Sequence, residues 1–409
     1  MSIQNRSSSL SGNLTRRSVL YGASALTGSS LMSAVGSAFA QNTDTIKIGS
    51  ARALTGLVAS SFAPLYVGVK IAVEEINAAG GILGRKVEII EADDESSPAK
   101  EPAVVRKLLD SGAQAILGPV GSSHTLAAVA STTPAKIIHA GGGWTEELAD
   151  GKKYPYQYQF TYNTSHQGEA IAEHIAEKLK LKKVGLLLEN SALGESGGIA
   201  TRRSLKKYGI EPVAVETYPL NATDLKVYLN KIRAAGADAL VIWNSPAQGI
   251  LLTAAGLQAM KWYPALLGGN SMFSNVVLEN ADPEILKNAS GTLLKVFTYT
   301  QNENIGGRQV AHAKRVINFP ESKQWEINAA ISPFYDFLHL LKVVVDAEKK
   351  FDSERVKAAF DAVKNYNGMI GRISFTPENH CALTGDQMVM ATLLSGKDPK
   401  SMHVFRERA

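Results

Sequence analysis

The residues best suited to chemistry lie in short loops between apolar runs. Gly118-Pro119-Val120-Gly121-Ser122-Ser123-His124-Thr125 follows one such run and opens a helical pattern. The first backbone N–H groups of a helix have no partner within it, so Ser122 and Ser123 stand where an anion or polar head could bind. The plainer reading of either serine is an N-cap. Ala140-Gly141-Gly142-Gly143-Trp144 forms a second loop. Gly142 and Gly143 would let backbone approach a ligand, and Trp144 offers a flat apolar face with one donor. A turn with its tryptophan packed inward is the alternative. Residues 190–197, Asn244-Ser245-Pro246 and Gly268-Gly269-Asn270-Ser271 bring small and amide side chains suited to hydrogen bonding or to ordinary turns. Arg52 could meet an acidic group or be solvated.

Catalytic and metal patterns are sparse. There is no H-E-x-x-H pair and no Walker loop. The pair Asp93-Asp94 could do acid–base work, but a solvated strand end is the simpler reading. The eight histidines include no i,i+4 pair, and Cys381 is the single cysteine. We therefore expect no metal, no cofactor, no disulfide and no enzymatic activity.

These loops need elements to carry them. Apolar runs at 46–49, 86–92, 113–117 and 136–139 read as strands. Helical spacing fills 64–79, where Leu65, Val69, Ala72, Val73 and Ile76 share a face, then 99–111 and 122–131. Gly80-Gly81 closes the first helix. A second block gives helices at 167–179, 196–208, 223–235 and 246–260, with strands at 183–188, 211–217, 238–243 and 265–268. Alternation of this kind predicts an α/β chain with two doubly wound parallel-sheet lobes. Ligands of such sheets bind off the carboxyl ends of the strands, which is where the loops above fall. The tail adds helices at 332–347 and 353–363 and a strand at 371–375, and could pack on both lobes.

The chain has 409 residues, which suits two domains, and is 45% hydrophobic and 20% charged, as globular proteins are. Three arginines, Arg6, Arg16 and Arg17, fall in residues 1–40 without any acid, so the net charge of +5 becomes +2 beyond them. That balance, with no long basic run, argues against nucleic acid as a partner. Residues 1–40 read as an export signal cleaved after Ala40, at Ala38-Phe39-Ala40. Thr15-Arg16-Arg17-Ser18-Val19-Leu20 resembles the twin-arginine signal, with Val19 where Phe is preferred. An ordinary secretory signal holding two arginines is the other reading. Either one predicts a periplasmic protein.

The run Ile76-Asn77-Ala78-Ala79-Gly80-Gly81-Ile82-Leu83-Gly84-Arg85-Lys86-Val87, preceded by Leu54-Thr55-Gly56 and followed by Ala92-Asp93-Asp94, resembles the type I periplasmic binding proteins of ABC importers. The leucine/isoleucine/valine-binding group is the most similar. The resemblance extends through 118–125, Leu193-Gly194-Glu195 and 371–375. It implies two lobes joined by a three-strand hinge, with lobe 1 at 44–162 plus 299–372 and lobe 2 at 163–298 plus 373–409. It also implies a small-molecule ligand in the interlobe cleft, delivery to an ABC permease, and a monomer.

In that family a serine matching Ser122 holds the ligand carboxylate. A threonine, a loop carbonyl and a second-lobe glutamate hold the ammonium. Here Trp144 stands at the threonine, Asn270 near the glutamate, and Leu193 where tyrosine is common. The resemblance thus implies a carboxylate or amide ligand without an α-ammonium, aromatic or short aliphatic, suited to Trp144 and Phe62; a branched-chain amino acid is the family's ordinary ligand. A periplasmic ligand-sensing subunit or amide-responsive regulator on the same fold is the alternative function.

Overall fold

A computed structural model describes residues 45–303, 305–319, 327–398 and 401–409. The expected export signal, with Arg16-Arg17 and the cleavage pattern, lies outside the described residues. Strands β1 (Ile46–Arg52), β2 (Val87–Asp93), β3 (Ala115–Val120), β4 (His139–Gly142) and β5 (Gln157–Tyr158) form one parallel sheet in the order β2-β1-β3-β4-β5. Ile48 lies opposite Ile89 on one side and Ala115 on the other. Parallel sheets are covered on both faces, and interior strands lose contact with water accordingly. Every residue of β3 is buried, whereas the edge strand β2 is exposed at intervals.

The second sheet repeats this logic. Strands β6 (Val184–Glu189), β7 (Ala214–Tyr218), β8 (Ala239–Trp243), β9 (Ala265–Gly268) and β10 (Ala289–Leu294) run parallel. Met388–Thr392 adds an antiparallel strand beyond β10. Interior β6 and β8 are buried throughout, and edge β7 alternates.

The helices that matter below are α1 (Ala59–Phe62), α2 (Val67–Ala78), α3 (Glu101–Asp110), α4 (Ser122–Thr132), α5 (Thr164–Glu173), α6 (Ala192–Lys206), α7 (Lys226–Ala234) and α8 (Ala247–Ala259). α2 buries Val69, Ala72 and Ile76, the face its spacing predicts. It stops where Gly80 and Gly81 take φ of +92° and +77°, and a Cβ on Gly81 would sit 1.9 Å from the Arg85 carbonyl oxygen. Asn163 caps α5 by accepting from Ser165 N at 3.0 Å, and Ser191 caps α6 by accepting from Gly194 N at 3.2 Å.

The chain passes between the sheets three times. β5 leads to α5 beside the second sheet; the chain returns after β10 to the helix Pro333–Glu348, which packs on α2; it then crosses again to Met388–Thr392. The first and third passages run side by side, with Gln159 N donating to His380 O and Ala382 N to Gln159 O, each at 2.9 Å.

Several boundaries differ from the sequence reading. The fourth strand is 139–142, not 136–139, because Lys136 turns with φ +52° and the glycines continue the ladder. Helix α6 starts at Ala192, since Ser191 caps it ahead of the apolar face. Of 371–375 only Arg372–Ile373 pairs as a strand.

His139 is fully buried, with Nε2 2.5 Å from the Gly118 carbonyl and Nδ1 3.2 Å from Thr132 Oγ1. Burial lowers its pKa from 6.5 to about 4, the Gly118 carbonyl opposing. Folding keeps this ring neutral, so the unfolded chain takes up the proton first as pH falls. Its contribution is complete above the unfolded value near 6.5 and is lost as pH drops toward 4. Urea midpoints measured across that range should fall in the wild type and fall less in His139→Gln. At constant pH, Leu186→Ala in the fully buried β6 should cost about 2–5 kcal/mol in the same assay.

Candidate ligand-binding cleft

The carboxyl ends of strands from both sheets converge on one cleft. The first sheet's side supplies Ser61, Phe62 and Leu65 from the turns before α2, and Trp144 after β4. Gln167 of α5 and Leu193 of α6 close one flank. Trp243, Asn244, Ser245 and Ala247 come from the β8–α8 junction; Gly269, Asn270, Ser271 and Ser274 follow β9. Asn328 arrives from the returning tail.

The apolar wall is aromatic. Phe62 and Trp144 face each other at 6.5 Å between ring centroids, tilted by 53°. Trp144 N donates to Ser122 Oγ at 3.0 Å, and Trp144 O accepts from Thr164 N at 2.8 Å. Trp243 is held by its Nε1 donating to Thr201 Oγ1 at 2.9 Å.

No charged side chain lines the cleft among the described residues. The adjacent acid is Glu189, which is buried. It accepts from Ser191 Oγ at 2.6 Å and from Ser245 Oγ and N, each at 2.8 Å. Burial raises its pKa, and those three bonds oppose the rise. Ser271 Oγ donates to Asn244 O at 2.8 Å, and Gln167 Oε1 accepts from Thr292 Oγ1 at 2.8 Å. The Asn244 side chain is different. It is 2% exposed, and neither Oδ1 nor Nδ2 has a hydrogen-bond partner. The Tyr218 hydroxyl approaches it without meeting hydrogen-bond geometry.

Of the residues expected from sequence, Phe62, Trp144, Leu193, Asn244 and Asn270 line the cleft. The others do not. Ser122 lies behind Trp144, holding its backbone. Ser123 Oγ accepts from Ala192 N at 3.2 Å, tying α4 to the start of α6. Arg52 bonds Glu91 at 2.8 Å and stacks 4.0 Å over Tyr66. Gly142 and Gly143 are needed for packing rather than for ligand approach: a Cβ would meet Val120 at 2.9 Å or Leu148 at 2.5 Å. Asp94, read as a solvated strand end, is buried.

Sequence reasoning missed Ser61, Leu65, Gln167, Trp243, Ser274 and Asn328. Trp243 was visible as the last residue of a strand beside a candidate loop. Asn328 carried no such signal, because only the returning tail places it here. The sequence reading finds no G-x-S-x-G elbow, yet Gly194-Glu195-Ser196-Gly197-Gly198 has that spacing. Ser196 sits within α6, its hydroxyl 2.6 Å from Thr164 Oγ1, not on a strand-to-helix elbow.

A buried amide without partners weakens a fold, whereas an apolar residue of similar size does not. Asn244→Leu should therefore stabilise the ligand-free protein by about 1–3 kcal/mol in urea unfolding. A loss of stability would mean that the amide serves the fold.

The periplasmic binding protein family model matches residues 45–397. A Pseudomonas aeruginosa protein named amino acid binding protein is 32% identical over 194 residues, 47% of this chain and 52% of that protein. The match thus spans about half that relative's length. Leu/Ile/Val-binding protein homolog 3 of Brucella melitensis is 26% identical over 342 residues, 81% of this chain and 87% of that one. A solved structure of the branched-chain amino acid transporter substrate binding protein LivJ from Streptococcus pneumoniae, in complex with isoleucine, aligns with a TM-score of 0.73 at 26% identity, over 85% of this chain and 96% of that one. With the two parallel sheets, the three passages between them and the cleft at their strand ends, these matches show that the chain belongs to the periplasmic binding protein family.

Proposed function

We propose that this chain is an extracytoplasmic solute-binding protein that closes on a small organic ligand and delivers it to an ABC permease. The ligand has a carboxylate or amide head, an apolar body and no α-ammonium. The observation that carries this reading is the uncharged cleft wall around the unpartnered Asn244. An ammonium taken out of water needs acceptors, preferably a carboxylate. Glu189 is engaged by Ser191 and Ser245. An amide head can use both Nδ2 and Oδ1 of Asn244, and a carboxylate head can accept from Nδ2. Trp144, Phe62, Leu65 and Leu193 would take the apolar body.

The remaining assignments rest on the family. Residues 1–40 act as the export signal, twin-arginine in type and cut after Ala40. The mature protein works as a monomer in the periplasm. The three passages serve as the hinge between lobe 1, residues 44–162 plus 299–372, and lobe 2, residues 163–298 plus 373–409. Contacts between the lobes support closure: Ser123 with Ala192, and Glu146 with Arg203 at 2.9 Å. The named relatives favour a second reading, in which the ligand is a branched-chain amino acid and Glu189 is released to face it.

Thermal-shift screening of the mature protein separates the two. The panel holds leucine, isoleucine and valine, aromatic and short-chain carboxylates, and their amides. A ligand at 100 times its Kd adds about 2.7 kcal/mol of stability. Shifts with acids or amides and none with leucine are expected. A shift with leucine alone would overturn the no-ammonium reading. For the ligand that emerges, Trp144→Ala should weaken binding by about 1–3 kcal/mol in calorimetry.

A further inference from the structure

One group of side chains has no part in the cleft. Asp94 follows β2, Glu101 opens α3, and His124 lies in the first turn of α4. One ligand atom from each lies within 4.8 Å of the other two, and this is the single such group among the described residues. All three are buried: Asp94 is 1% exposed, Glu101 0% and His124 8%. Glu101 is within hydrogen-bond reach of Asp94 and is offered no donor by any other group, and His124 Nε2 has no hydrogen-bond partner. Asp94 Oδ1 accepts from Ser96 N at 2.7 Å. The guanidinium of Arg52 bonds Glu91 and lies over the Tyr66 ring.

With both carboxyls ionised, Asp94 and Glu101 would place two negative charges beside the imidazole that water cannot screen. A proton shared between Asp94 and Glu101 would remove one charge. It would leave the other, and would leave His124 Nε2 unserved. A divalent cation removes both charges and takes the imidazole lone pair. Two carboxylates with one imidazole form a donor set that suits zinc and its neighbours better than calcium or magnesium, which favour oxygen alone.

We propose that Asp94, Glu101 and His124 hold a divalent transition-metal ion of the zinc type. The ion would join the β2–α3 turn to the start of α4, and so brace the segment that carries Ser122 and Ser123. The site lies apart from the cleft lining, so this inference stands whatever the ligand is.

The test uses tag-free mature protein stripped with chelator and dialysed. Zinc is titrated by calorimetry, and cobalt is followed by its visible d–d absorption. One-to-one zinc uptake, a cobalt band and a raised melting temperature are expected. Glu101→Gln and His124→Gln should each weaken zinc by at least about 10-fold while keeping the native circular dichroism. Should one variant not fold, the other carries the comparison. Absence of one-to-one uptake, uptake unchanged in the folded variants, or binding of calcium or magnesium in preference to zinc would overturn the proposal and leave the cluster as a proton-sharing carboxyl pair.

Discussion

Parallel strands hide both faces, so a ligand can be reached only from their ends. In this chain β3, β6 and β8 are buried at every position, and the polar groups able to recognise a small molecule sit just past strand ends. Two sheets with this constraint, joined by three passages of chain, bring their carboxyl ends toward one another. The cleft follows from that arrangement. Trp144 belongs to the first sheet's end, Asn244 and Asn270 to the second's, and Gln167 to the helix entered directly after the first passage.

Charge is withheld from the cleft by pairing elsewhere. Glu189 could have faced a ligand, but two serines and a backbone amide claim it. Arg52 stands at the end of β1, yet Glu91 on the neighbouring strand and the Tyr66 ring hold it. What remains is a wall of aromatic carbon, small hydroxyls and amides. Asn244 is the costly member, since its buried amide has no internal partner. Such a cost is usual where a residue serves a ligand rather than the fold.

The start of α4 shows how closely the roles are packed. Three consecutive residues do different things. Ser122 fixes the Trp144 backbone, Ser123 reaches across to α6, and His124 turns toward Asp94 and Glu101. A helix start offers this because its side chains fan out over about 100° per residue while its unpaired N–H groups stay fixed. Substitutions in this turn are therefore expected to affect the cleft, the contact between lobes and the buried acidic cluster separately.

The alternation of strands and helices, the two blocks and the Gly80-Gly81 stop were legible in the sequence, because each depends on local periodicity or on backbone freedom. Loops after parallel strands also supply Trp144, Asn244 and Asn270 to the cleft. The direction of individual side chains was not legible. Ser122 and Arg52 had the right chemistry and the right position along the chain, but their partners, Trp144 N and Glu91, come from the segment after β4 and from β2. The glycines at 141–143 looked like an open loop; Gly141 and Gly142 end β4 and Gly143 follows it, and their missing side chains make room for Val120, Thr125 and Leu148. Asn328 and the union of Asp94, Glu101 and His124 depend on contacts between segments far apart in the chain. Sequence alone determined the fold class, since it is set by short-range pattern. The tertiary structure decided which side chains are free to bind, because that turns on which distant groups have already claimed their hydrogen bonds and charge.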